Sequence, residues 1–188
     1  MIGANELKRK MIISVDGQPW RVLEVSFSSP SARGASTMVR VKVRNLLTGN
    51  VLDKNFKTSE KFEEPDVEEN KASFLYTDSD SYHFMDEVTF EQFSFTNEKI
   101  GELRRYLKEG VVLGALRYNG HYISLELPPV VELKVASAAP ATKGDSAAGS
   151  GTKQATLETG LEVRVPQYIQ EGDVVRVHTE TGEVSGRA

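Results

Sequence analysis

An all-β protein built from several small barrels is the expectation for these 188 residues, and three observations carry it. The apolar periodicity is mostly two. Residues 38–44, MVRVKVR, set Val39, Val41 and Val43 on one side and Arg40, Lys42 and Arg44 on the other, the pattern of a half-buried antiparallel strand. Turn signals recur between the apolar runs. Asn119-Gly120 separates Ala115–Tyr118 from His121–Leu125, the composition of a type I′ hairpin, and Gly49-Asn50 and Thr181-Gly182 mark further turns. Helical spacing occurs once, in NEKIGELRRYLK (97–108). There Ile100, Leu103 and Leu107 share a face, Asn97 supplies a cap and Gly110 a stop.

The elements follow in order. Strands are predicted at 11–15, at 20–27 (WRVLEVSF, with Trp20, Val22 and Phe27 among short alternations), at 38–44 and at 51–56. Further strands are predicted at 72–76, 81–85, 111–117, 121–127, 130–135, 161–165 and 174–178. Two stretches read as connections. Residues 59–71, SEKFEEPDVEENK, hold six acids and a proline with only Phe62 and Val67 strongly apolar, which predicts a solvated hinge. Residues 136–153, ASAAPATKGDSAAGSGTK, contain no large apolar side chain to anchor in a core and predict a long loop. The 35 residues after it are too few for an independent core, so strand 130–135 is expected to pack with them. Three units result: 1–65, 66–130 and 131–188.

Charge and composition narrow the function. The net charge is −4, which read alone argues against a general nucleic-acid binder. Its distribution is uneven. Residues 1–65 carry 11 Lys and Arg against 7 Asp and Glu, net +4; residues 66–130 carry 6 against 12, net −6; residues 131–188 carry 6 against 8, net −2. Such a dipolar chain suits a molecule that meets a polyanion with one end. Three bases on one face of residues 38–44 supply much of the first segment's excess. The chain has no cysteine, which removes disulfides, thiolate zinc sites and cysteine nucleophiles and fits a reducing cytoplasm. No apolar run approaches a membrane span and Met1–Lys10 lacks a signal-peptide core, so no membrane partner is expected.

The residues for catalysis are sparse. His83, His121 and His178 share no ligand spacing, and no metal site is expected. The stretch 144–153, GDSAAGSGTK, has the glycine gap of a phosphate loop, but its lysine comes three residues late and no helix follows. No base stands beside a nucleophile, so neither an enzyme nor a cofactor is predicted. One loop is distinctive. Between strands 20–27 and 38–44 lies SSPSARGAS (28–36), where every side chain is small except Arg33. Nine residues is long for a hairpin connection. Pro30 stiffens the ascent and Gly34 permits a tight tip. Half of it projects on the order of 10 Å, a slender stalk able to enter a narrow cavity. Its guanidinium offers five donors and a stacking plane to phosphates and bases.

The last segment runs Lys153-Gln-Ala155, Gly160, Val163-Arg-Val165-Pro166, Ile169 and Gly172. This resembles the C-terminal signature of the bacterial elongation factor P family. RVKVRNLLTG (40–49) and Phe56-Lys57 agree in the first segment. FLY (74–76), HFM (83–85) and TFEQ (89–92) agree in the second. The resemblance spans essentially the whole chain. Within the family, SPSARGAST (29–37) is similar to the S-P-[ST]-A-R-G-A loop of the elongation factor P-like branch, not to the lysine loop of the main factor.

The resemblance implies an SH3-like, KOW-type barrel followed by two OB-type barrels in an L shape that mimics tRNA. It implies a cytoplasmic, monomeric factor that binds the ribosome and its ribosomal RNA. Such a factor stimulates peptide-bond formation at consecutive-proline stalls by holding peptidyl-tRNA (proline tRNA) in a reactive geometry. By motif, Arg33 takes the tip position, with Pro30, Ser31, Ala32, Gly34 and Ala35 around it. Gly144-Asp145-Ser146 stands where the family carries a G-D-T contact to the tRNA D-arm, so the stretch 136–153 gains a recognition role. Arg40, Lys42, Arg44 and Arg187 are expected as RNA backbone contacts. The arginine tip excludes a β-lysylated lysine there, and Ala32-Arg33-Gly34-Ala35 does not match the S-G-R-N context of rhamnosylated members, so Arg33 is expected unmodified. Val184 stands in place of the family's C-terminal tyrosine. Two rivals remain open. An OB-type RNA-binding module or RNA chaperone would need an aromatic platform, yet Phe74, Tyr76, Phe84 and Phe93 read as core. A small β-barrel enzyme would need an acid/base cluster.

Overall fold

The computed structural model describes residues 1–28, 37–141 and 151–188. Among the described residues the regular secondary structure is almost all strand. In order these are β1 (Ile2–Gly3), β2 (Ile12–Val15), β3 (Gln18–Ser28), β4 (Met38–Asn45), β5 (Val51–Lys57), β6 (Lys61–Phe62), β7 (Val67–Thr77) and β8 (Ser81–Asp86). Then come β9 (Gln92–Thr96), β10 (Val112–Tyr118), β11 (His121–Glu126), β12 (Val130–Ala138), β13 (Thr152–Leu157), β14 (Glu162–Pro166), β15 (Val174–His178) and β16 (Val184–Arg187). By their contacts they form two compact units: residues 1–69 with 116–124, and residues 70–115 with 125–188.

In the first unit an antiparallel meander, β2-β3-β4-β5, is joined by the β1-β6 pair. The Ser14 amide donates to the Glu63 carbonyl at 2.8 Å, stitching the second sheet to β2. Both sheets turn their apolar sides onto one core, including Ile13, Trp20, Val22, Val39, Val41, Val43, Phe56 and Phe62. The alternation predicted for residues 38–44 is observed: the three valines are buried while Arg40 and Arg44 are exposed and Lys42 half-buried. A register shift between Val22 and Glu24 explains the broken alternation of β3, since a bulge moves Val25 onto the core side already used by Val22.

The other sheets run β11-β10-β7-β8-β9 and β14-β13-β12-β15-β16. Asn119 and Gly120 have φ of 51° and 79°, both in the left-handed region, as the type I′ turn between β10 and β11 requires. In the second unit Phe74, Phe84, Phe93 and Phe95 pack ring on ring, with Phe84 at 5.5 Å from both Phe74 and Phe93. The last sheet closes on Val131, Leu133, Val135, Val163, Val165, Ile169, Val175 and Val177. The apolar members of the C-terminal signature thus lie in a core, and Gly160 and Gly172 close its turns at φ of 86° and 92°.

Three expectations change. Residues 97–108 do not form one helix. An α-turn over Asn97–Ile100 gives way to a 3₁₀ helix over Gly101–Tyr106, because Gly101 sits at φ 51° and breaks the α path. The cap is Thr96, whose hydroxyl accepts from the Lys99 amide, and not Asn97. The acidic hinge at 59–71 is largely strand: β6 and the start of β7 lie in it, and Phe62 packs edge-on against Phe56 at 4.6 Å. The loop at 136–153 is shorter than expected, since β12 continues to Ala138 and β13 begins at Thr152.

Candidate nucleic-acid interface

The outward side of the meander is set by strand register. Across β3 and β4, Ser26 faces Arg40, Glu24 faces Lys42 and Arg21 faces Arg44. Across β4 and β5, Asn55 faces Arg40, Asp53 faces Lys42 and Lys57 faces Met38. Residues directly opposite share a side of the sheet, so Arg21, Arg40, Lys42, Arg44 and Lys57 gather there against Glu24 and Asp53. Arg40 reaches Asp53 at 3.5 Å, but both side chains are more than half exposed, so that pair is weak and open to exchange. Burial lowers the pKa of Arg21; the carboxylate of Glu69 opposes this and the cation of Arg44 adds to it. An arginine stays charged through such a shift, so the face is a fixed positive stripe.

β3 and β4 end beside this stripe at Ser28 and Met38. The two residues pair, and the Ser28 hydroxyl donates to the Met38 carbonyl at 3.3 Å. They fix where the arginine loop leaves and returns. Phe27, next to Ser28, is 58% exposed. The loop residues Pro30, Ser31, Ala32, Arg33, Gly34 and Ala35 lie outside the described residues, as do Gly144, Asp145 and Ser146.

Arg187 lies on β16, in the second unit. Its Nη2 donates to Asp173 Oδ2 at 3.0 Å, and its guanidinium stands 5.5 Å from the ring centre of Tyr168. Val184, two residues after the Thr181-Gly182 turn, packs against the last core.

The aromatics of the second sheet divide. Phe74 and Phe84 are buried, as expected. Tyr76 is not core: it is 53% exposed and stacks on His83, ring centres 4.5 Å apart. The position belongs to an apolar run in sequence, but a register shift between Phe74 and Tyr76 turns it outward. His83 in turn meets Asp78 Oδ2 at 2.6 Å. Among the described residues no cluster of three or more His, Asp or Glu side chains could hold a metal ion, and no helix is long and apolar enough to cross a membrane.

Three family models cover most of the chain: the elongation factor P KOW-like domain at residues 3–62, the elongation factor P OB domain at 67–125 and the elongation factor P C-terminal domain at 131–187. Elongation factor P of Moorella thermoacetica is 43% identical over 188 residues, covering 100% of both chains. Elongation factor P of Thermodesulfovibrio yellowstonii is 42% identical over 97% of this chain and 96% of its own. Among solved structures, eukaryotic translation initiation factor 5A from Methanococcus jannaschii covers 67% of this chain and 93% of its own, with 23% identity and a TM-score of 0.49.

Proposed function

The chain belongs to the elongation factor P family and is a translation elongation factor, and we propose that it relieves ribosomes stalled at consecutive prolines by holding peptidyl-tRNA with its arginine loop. The reading rests on one arrangement. A loop with a single large side chain, Arg33, springs from paired Ser28 and Met38 beside an outward face rich in cations. A guanidinium on a slender stalk suits a crowded, polyanionic cavity near the tRNA acceptor end, and the stripe of Arg40, Lys42 and Arg44 suits the phosphates outside it. The SPSARGA loop supports membership of the elongation factor P-like branch, with Arg33 unmodified.

The proposed contribution is positional. Two reactants held in near-attack geometry lose less entropy on reaching the transition state. Proline is a poor, constrained reactant, so orientation of its tRNA and nascent chain is where help is needed, and the ribosome performs the chemistry. Gly144-Asp145-Ser146 would touch the tRNA D-arm, with serine keeping the hydroxyl of the family's threonine, and Arg187 would serve near RNA backbone. The protein would work as a monomer in the cytoplasm in three units, 1–65, 66–130 and 131–188.

One observation favours the rival OB-type RNA module: Tyr76 is exposed and pre-stacked, as a base platform would be. The carboxylates of Asp78 and Asp80 in the adjoining turn weigh against it, since they repel a phosphate chain. Reconstituted translation decides. Adding the protein to a template with three consecutive prolines should raise full-length product, while a proline-free template is unchanged. No relief with the proline template would refute the elongation reading.

A further inference from the structure

Tyr168 sits in the turn after β14 and is 59% exposed, yet its neighbours are held by hydrogen bonds and burial. Ile169 beside it is fully buried, and its amide donates to the Pro166 carbonyl at 3.1 Å. On the other side, the Gln167 amide donates to the Gly151 carbonyl and the Gln167 side chain to the Thr152 carbonyl, both at 3.1 Å. The ring therefore stands on a fixed base. The Arg187 guanidinium lies over it at 5.5 Å and is tied to Asp173 at 3.0 Å. Asp173 also accepts from the Gln170 amide at 2.9 Å, which is the first cause of its lowered pKa; the charges of Arg187 and Lys153 add to that lowering. Beside Arg187, Gly186 has open space where a side chain would be.

An exposed ring with a guanidinium held 5.5 Å from its centre presents a flat face flanked by a cation. Nucleobases stack on such rings whatever their identity, and their phosphates seek the neighbouring cations. We propose that Tyr168 is a stacking platform for an RNA base. Arg187 orients the ring, and Lys153 with the unused donors of Arg187 meets the adjoining phosphate. This rests on the reading of the protein as a ribosome-bound factor, and it assigns the last domain a base contact of its own.

The test uses the full chain with ribosomes stalled on consecutive prolines, comparing wild type, Tyr168→Leu and Tyr168→Phe. Affinity is measured together with chemical modification of ribosomal RNA, tRNA and mRNA bases. Tyr168→Leu should bind about 10-fold more weakly and lose protection of one base. Tyr168→Phe, which keeps the ring, should bind within about twofold of wild type and retain that protection. Wild-type affinity for Tyr168→Leu, or an unchanged pattern of protected bases, overturns the platform while leaving the elongation reading intact. Equal weakening of both variants overturns it too, since the hydroxyl and not the ring would then be the contact. Failure of the wild type to bind ribosomes refutes both.

Discussion

Asp78 shows how much a single carboxylate organises. Its Oδ1 accepts from the amides of Asp80 and Ser81, each at 2.9 Å, and its Oδ2 meets His83. These bonds, with the Asp80 amide first, the His83 side chain next and then the Ser81 amide, lower its pKa to about 2. A carboxyl whose folded pKa lies below the unfolded value of about 3.9 stabilises the fold above that value. The contribution is lost as pH falls through about 2. Asp78→Asn should therefore melt below wild type near pH 6, and the gap should close as the pH is lowered toward about 2. A gap of constant size in thermal melts across that range would contradict this assignment. Asn45 is the other organising residue. Though buried, it accepts from the Leu47 and Thr48 amides at 2.8 and 3.0 Å and donates to Gln18 at 2.7 Å. Asn45→Ala should cost roughly 1–3 kcal/mol in urea denaturation, the range for buried amides left without an acceptor.

At the scale of elements, β4 carries both the first core and the proposed RNA-facing bases. Its valines are buried and its bases face outward, so the proposed role can be tested apart from the fold. The double variant Lys42→Ala, Arg44→Ala should melt within about 2 °C of wild type, since charges on the outward side of a sheet contribute little to stability. It should bind ribosomes more weakly and with a shallower salt dependence, by roughly one unit of log–log slope for each phosphate no longer neutralised. Unchanged salt dependence would remove these residues from the interface. β4 is legible in sequence because alternation and burial agree along its whole length. Strand β9, QFSFT, is not, though Phe93 and Phe95 share one side of the sheet, because it is short and lies between a turn and a helix cap. The apolar spacing at 97–108 suggests more helix than forms, because the positive φ of Gly101 is invisible to spacing. Acid-rich 59–71 resembles a solvated hinge because the strands there keep their charged side chains exposed, with Phe62 as the buried anchor. Tyr76 resembles a core residue because a bulge that reverses a side chain leaves no mark in an apolar run.

For the whole molecule, the net charge of −4 conceals the relevant quantity. Through strand register, cations of residues 1–65 gather on one side of the meander, whereas residues 66–130 carry a net −6. The candidate site is therefore readable at the level of motif and charge. The exposed rings of Phe27, Tyr76 and Tyr168 are not, because whether a ring in a strand or turn is covered depends on neighbours distant in sequence. The central claim is that a guanidinium at the loop tip positions the reacting tRNA. The rate of peptide-bond formation at a consecutive-proline stall, measured with wild type and Arg33→Ala at saturating factor, tests it most directly. Wild type is expected to accelerate the step, and Arg33→Ala to lose at least about 10-fold of that acceleration while still binding the ribosome. Full acceleration by Arg33→Ala would contradict the claim.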